Sequence, residues 1–229
     1  MTLPDSAASA FGDRLPLAER FAGWLVGPGI VRGMLGPREA DQVWERHVLN
    51  GIGIGSLIGR GCLVIDLGSG AGLPGIPLAL SRPDLKVVLV EPKARRADFL
   101  REVCADLGLA VRVVRARASP DGLVPLPDGT AGDAVPLADV VTARAVASIA
   151  DLARWAVPLL RPGGQLLAVK GAAAVAELDR DGPGLSRLGF VHARILDVPS
   201  SDSDDREVGT GVATTTVVAM TLARVSRET

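Results

Sequence analysis

The sequence predicts an α/β fold: a mostly parallel seven-stranded sheet closed by an antiparallel C-terminal hairpin and preceded by a helical extension. Three observations carry this expectation. From residue 62 onward, short apolar β-branched runs alternate with segments of helical period. The first of these runs ends in a glycine-rich turn. The last two runs, 190–197 and 212–223, follow each other without a full helix between them, which suits an antiparallel pair.

Residues 1–58 read as helical. Leu17, Phe21, Trp24 and Leu25 fall on one stripe, and Val43, Trp44, His47 and Val48 on another. Trp24 and Trp44 are therefore expected in the core rather than as base-stacking platforms, and His47 as a packed or hydrogen-bonded helix residue. Strands are expected at 62–67, 86–91, 111–114, 138–143 and 165–170. A helix over 93–107 turns Phe99, Leu100, Val103, Cys104 and Leu107 inward, with Gly108 as its C-terminal cap. Ser148 and Asp151 form a capping pair for the helix after the fourth strand. The proline- and aspartate-rich stretch 119–137 and the acidic stretch 200–207 read as loops. The expected domains are 1–58, the extension, and 59–229, the sheet domain.

Composition narrows the function. With 229 residues, 48% hydrophobic and 22% charged, wholesale disorder is excluded. The formal charge of −1 argues against a nucleic-acid binder only as an average. Segment 93–117 carries Lys93, Arg95, Arg96, Arg101, Arg112, Arg115 and Arg117 against three acids, while 197–207 carries five acids against one Arg. The total is thus a cancellation between a basic and an acidic segment. Cys62 and Cys104, and His47 and His192, lack metal-ligand spacing, so neither a metal site nor a disulfide framework is expected. No signal peptide is visible, and the charge-free stretch 67–81 is too short to span a bilayer. A cytoplasmic protein without membrane contact is the expectation.

The chemistry is concentrated in VIDLGSGAGLPG, residues 64–75. A strand delivers Asp66, glycines at 68, 70 and 72 allow a tight turn and close approach to a ligand, and Pro74 opens a helix. Glu91 follows 25 residues after Asp66 at the end of the next strand, where an acid accepts hydrogen bonds from the ribose hydroxyls of an adenosine ligand. Two cofactors compete. A dinucleotide fits G-x-G-x-x-G, but Leu73 stands at the third glycine and Asp66 would face a pyrophosphate. S-adenosylmethionine has no phosphate and carries positive charge, which a carboxylate favours. The pattern therefore points to a methyltransferase, and the closing hairpin suits the class I S-adenosylmethionine-dependent, Rossmann-like fold.

DLGSGAGLPGIPLAL, VEPKARRADFL, VTARAVA and LLAVKG together resemble the bacterial small-subunit rRNA methyltransferase G family, also called glucose-inhibited division protein B. The resemblance implies transfer of a methyl group from S-adenosylmethionine to N7 of one guanine in 16S rRNA, with naked rRNA or the small ribosomal subunit as partner. Beside Asp66, which the glycine-turn pattern places at the cofactor, it implies cofactor contacts at Gly68, Gly70, Leu73, Glu91, Ala118, Ser119 and Arg144, with Arg144 also positioning the substrate. Arg95, Arg96, Arg117 and Lys170 match basic positions that meet RNA. This chain departs from the family's pattern at Ser119, where glutamate is usual, and at Asn50 and Gly51 after His47, where Asp-Ser is usual.

Guanine N7 carries a lone pair and no proton, so its methylation needs alignment rather than a general base. The sequence agrees: no Asn/Asp/Ser-Pro-Pro-aromatic motif follows the fourth strand, and no cysteine is placed as a nucleophile. Three alternatives stay open. A small-molecule or protein methyltransferase would use the same fold, a dinucleotide-dependent oxidoreductase a related one, and a non-catalytic adenosine-binding regulator the same pocket. A monomer is expected.

Overall fold

The computed structural model describes residues 2–126, 134–199 and 214–224. The acidic stretch 200–207 and the middle of 119–137 lie outside these residues. Apolar β-branched sequence forms strands β1 (Leu63–Leu67), β2 (Lys86–Val90), β3 (Arg112–Val114), β6 (Ala138–Arg144), β7 (Leu160–Lys170), β8 (Phe190–Pro199) and β9 (Thr214–Leu222). They build one seven-stranded sheet in the order β3-β2-β1-β6-β7-β9-β8. The pairs β3–β2, β2–β1, β1–β6 and β6–β7 are parallel. The pairs β7–β9 and β9–β8 are antiparallel, the second as expected of the closing pair. The order reverses beside β1, so the strand ends there open into a crevice.

Two elements depart from the sequence reading. Ser119 was expected to begin a loop, but β4 (Ala116–Ser119) and β5 (Gly122–Pro125) form a small antiparallel hairpin. Its strands are four residues each, too short for a periodic signal. The segment between the fifth strand and residue 190 also holds a helix, α7 (Ala174–Arg187), that the sequence reading does not include. Asp-Gly-Pro-Gly at 181–184 reads as a turn, yet it lies within that helix.

The other helices lie in the extension and between the strands. In the extension these are α1 (Asp5–Phe11), α2 (Leu15–Trp24) and the single turn α3 (Asn50–Ile52). In the sheet region they are α4 (Gly75–Ser81), α5 (Ala94–Asp106) and α6 (Ile149–Ala156). The Ser148 hydroxyl caps α6 by accepting from Asp151 N at 3.1 Å. Between α2 and β1 the extension also uses wider π-helical turns, Leu25–Gly29 and Val43–Leu49.

One apolar core lies on each sheet face. The first joins Phe21, Leu25, Val43 and Trp44 of the extension to α4, α5 and the sheet; the second packs α6 and α7 against the other face. The extension is also tied down by polar contacts. Trp24 Nε1 donates to Asp106 Oδ2 at 2.8 Å, and its ring meets Phe99 edge-on at 5.8 Å. Both Trp24 and Trp44 thus serve packing, as their spacing predicts.

Candidate active site

A cleft of about 530 Å³ opens at the C-terminal ends of β1, β2 and β6. Its floor is the turn after β1. Gly68 N and Ser69 N both donate to Val90 O, which ties the turn to β2. Gly68 has φ +68°, and a Cβ there would meet Val146 Cγ2 at 2.7 Å. Gly70 has φ +56°, and a Cβ there would have no protein atom closer than 3.7 Å. At Gly68 the side chain is therefore excluded by the protein, while at Gly70 the space is left open.

Glu91 follows β2 and is 1% exposed. Its Oε2 accepts from Gly70 N at 3.0 Å and its Oε1 from Lys93 N at 2.9 Å. The glycine turn and the acid are thus one hydrogen-bonded unit, and each carboxylate oxygen keeps acceptor capacity beyond these bonds. Gly68, Gly70, Leu73, Glu91, Ala118 and Arg144 all line the same cleft, together with Arg96 and Arg117 at its basic rim.

Four expected site residues do not line it. Asp66 is fully buried beneath the turn, where its Oδ2 accepts from Gly75 N at 3.2 Å. Burial pushes its carboxyl up to about 7, against the hydrogen bonds from Ser69 and Gly75 that stabilise the charged form. It shapes the turn from below rather than reaching into the cleft. The Ser119 hydroxyl is spent on its own hairpin, donating to Gly122 O at 3.0 Å and accepting from Asp121 N. Lys170 was expected to be free for RNA. Instead its Nζ donates to Ala147 O at 2.6 Å and to Glu177 Oε2 at 2.8 Å, with 10% of the side chain exposed. It braces the loop after β6. Arg95 points to solvent outside the cleft wall, on the same turn of α5 as Arg96.

The opposite wall comes from the extension and the end of β6. Arg144 Nη2 donates to His47 Nδ1 at 2.8 Å. Burial, reinforced by the Arg144 charge, lowers His47 to about 4, so the ring is neutral at neutral pH. Burial also draws Arg144 down from its usual value, but a guanidinium stays charged. The loop then turns sharply at Ala145, φ +53°, and lays Val146 over Gly68. Helical periodicity places His47 among packed residues, and it is packed. Its link to Arg144, 97 residues away, and the lining positions Met34, Leu35, Val146 and Trp155 have no local sequence signal.

A profile of the family described as GidB, rRNA small subunit methyltransferase G, matches residues 14–205. The chain belongs to this family. The ribosomal RNA small subunit methyltransferase G of Mycolicibacterium gilvum is 49% identical over 205 residues, covering 86% of this chain and 87% of that protein. The protein of the same name from Mycolicibacterium smegmatis is 51% identical over 193 residues, covering 84% and 79%. Among solved structures, a branched-chain polyamine synthase mutein from Thermus thermophilus superposes with a TM-score of 0.57 at 17% identity, covering 91% of this chain and 64% of that one. The S-adenosylmethionine-dependent methyltransferase SibL gives 0.56 at 17% identity, covering 96% and 70%. These structural likenesses concern the fold alone.

As a GidB-family chain the protein is an S-adenosylmethionine-dependent methyltransferase. The oxidoreductase and non-catalytic readings are thereby set aside. The cleft suits this cofactor: a buried carboxylate lies at one side, an open glycine turn forms the floor, and a buried guanidinium nitrogen, Arg144 Nη1, which has no partner among the described residues, lies in the far wall. Among the described residues no group of His, Cys, Asp or Glu is arranged to hold a metal ion.

Proposed function

We propose that this chain transfers the methyl group of S-adenosylmethionine to N7 of a guanine in 16S rRNA. One observation carries the reading. In a GidB-family chain, the glycine turn and Glu91 share a single cleft with Arg144, and Arg96 and Arg117 stand at its rim. A nucleoside-binding half and a polyanion-binding half thus meet where a base can be presented.

When bound, S-adenosylmethionine supplies an electrophilic methyl group on a sulfonium. Glu91 accepts from the ribose hydroxyls with the lone pairs that Gly70 and Lys93 leave free. Gly68 and Gly70 let the backbone approach the cofactor, and Leu73 and Ala118 flank it as apolar walls that exclude water. Asp66 and Ser119 act indirectly, through the turn and the hairpin they hold. Arg144 holds an oxygen of the reactants through charge-assisted hydrogen bonds. Arg95, Arg96 and Arg117 meet RNA phosphates, which position the substrate without reading its sequence. No residue is required as a general base, because N7 gives up no proton; the rate gain comes from alignment.

We take residues 1–58 as a helical extension and 59–229 as the cofactor-binding domain, on the change of pattern near residue 60. The extension nevertheless completes one core and one wall of the cleft. A monomer acting in the cytoplasm fits an rRNA substrate, and no helix among the described residues is long and apolar enough to cross a membrane.

The test is incubation with labelled S-adenosylmethionine and, separately, unmethylated 16S rRNA, small subunits, ribosomal protein and free nucleosides. Label is expected in the RNA of the first two. Label in protein or free nucleoside alone would favour the small-molecule or protein methyltransferase instead.

A further inference from the structure

Among the described residues, two polar atoms of the extension-side wall, Arg144 Nη1 and His47 Nε2, are buried without partners. Their side chains are joined at the other end, where Arg144 Nη2 meets His47 Nδ1 at 2.8 Å. A guanidinium only donates, so Nδ1 is the acceptor and the imidazole proton sits on Nε2. Glu39 Oε1 lies 3.8 Å from Nε2, beyond hydrogen-bond reach, and the other carboxylate oxygen accepts from Gly36 N at 3.2 Å. The charged groups around the pair are therefore Glu39 and Arg46 from the extension and Asp66 from beneath the sheet edge.

Each buried donor without a partner is costly unless a ligand supplies an acceptor. The choice of histidine as the neighbour also has a consequence. A carboxylate at His47 would neutralise Arg144 and weaken its hold on a ligand oxygen. A neutral acceptor fixes the guanidinium plane while leaving its charge for the ligand.

We propose that His47 is a positioning residue: its neutral Nδ1 takes one amino group of Arg144 and so commits Nη1 to an oxygen acceptor of the bound reactants. The acceptor chemistry is a carboxylate or carbonyl oxygen, available from the methionine end of the cofactor or from O6 of the target guanine. The proposal rests on the methyl-transfer reading above. It assigns a role to the extension that packing alone does not, since the extension sets the orientation of a residue on the sheet.

The experiment compares His47→Phe, which fills the space without an acceptor, with His47→Asn, whose carbonyl oxygen stands near the Nδ1 position. Both are made in the wild-type and Arg144→Ala backgrounds. His47→Phe is expected to lower kcat/KM for methyl transfer by about 10- to 100-fold, the range for a lost hydrogen bond to a charged group. His47→Asn is expected to recover most of that loss. In the Arg144→Ala background His47→Phe is expected to change the rate by less than about twofold, since coupled residues are not additive.

Calorimetry with S-adenosylhomocysteine separates the two acceptors. Weakened binding in His47→Phe assigns the acceptor to the cofactor; unchanged binding with a lower kcat assigns it to the guanine. Either pattern supports the pairing. Equal losses in both backgrounds, or no rescue by Asn, would overturn it.

Nitrogen-15 NMR of the His47 ring in the wild-type protein tests the pair without any activity. A neutral Nε2–H tautomer at neutral pH is expected, and a proton on Nδ1 would overturn the proposal even if His47→Phe failed to fold. If the wild-type protein methylated no rRNA, the function would fall while this tautomer and the S-adenosylhomocysteine measurement still judged the pair.

Discussion

Gly70 combines a φ of +56° with open space on the ligand side. A valine there is strained by its backbone and projects into the cleft instead of into the protein. Gly70→Val is therefore expected to weaken S-adenosylhomocysteine binding at least tenfold by calorimetry; unchanged affinity would remove the turn from the cofactor site. Asp66 makes a different prediction. Its folded value near 7 lies above the unfolded carboxylate value, so the native state keeps a proton that the unfolded chain has released, and stability falls as pH rises from about 4 to 7. His47, near 4 when folded and near 6.5 when unfolded, acts oppositely: its contribution is complete above about 6.5 and is lost as pH falls toward 4. Calorimetric melting of Asp66→Asn is expected to rise from pH 4 to 6.5 and then level off, without the wild-type decline toward pH 7. A profile that matches wild type would show that Asp66 does not titrate in this window. Glu91 was legible in the sequence because its signal is local, a strand end at a fixed spacing from a glycine turn. The His47–Arg144 contact was not, because its partners are distant in sequence and neither segment's pattern names the other.

At the scale of elements, the strands were legible wherever both faces are buried, since such strands read as continuous β-branched runs. The hairpin β4–β5 and helix α7 were missed for opposite reasons. The first is too short to show a period, and the second carries Gly182, Pro183 and Gly184 inside it. That helix matters because Glu177 on it meets Lys170 at the end of β7, and Lys170 in turn holds Ala147 in the loop after Arg144. The lysine is a cation at the ligand-binding sheet edge, but charge and position alone do not reveal an internal partner. Lys170→Met takes the donor from the Ala147 carbonyl and leaves the Glu177 carboxylate with the Ile149 N–H but without its ammonium partner. With the glutamate side chain partly exposed, a loss of about 1–3 kcal/mol is expected, read as a melting temperature several degrees lower. The salt dependence of RNA affinity should stay as in wild type. A shallower salt slope with unchanged melting would return Lys170 to the RNA surface.

For the whole molecule, the near-zero charge conceals the basic segment 93–117, from which Lys93, Arg96 and Arg117 line the cleft. RNA affinity should therefore fall steeply with salt, and replacing both Arg96 and Arg117 with alanine should flatten the log–log slope by about 1–2. An unaltered slope would place the phosphate contacts elsewhere. The extension completes a core and a wall of the same site, so reactant binding and the packing of the first 58 residues are linked through one body of structure. The most direct measurement is chemical mapping of 16S rRNA after a single round of methyl transfer, using strand scission at 7-methylguanine. Cleavage at one guanine, dependent on S-adenosylmethionine and lost in Arg144→Ala, is the result expected. Methyl transfer without scission, or scission spread over many guanines, would contradict the claim that this cleft aligns a single N7 with the methyl donor.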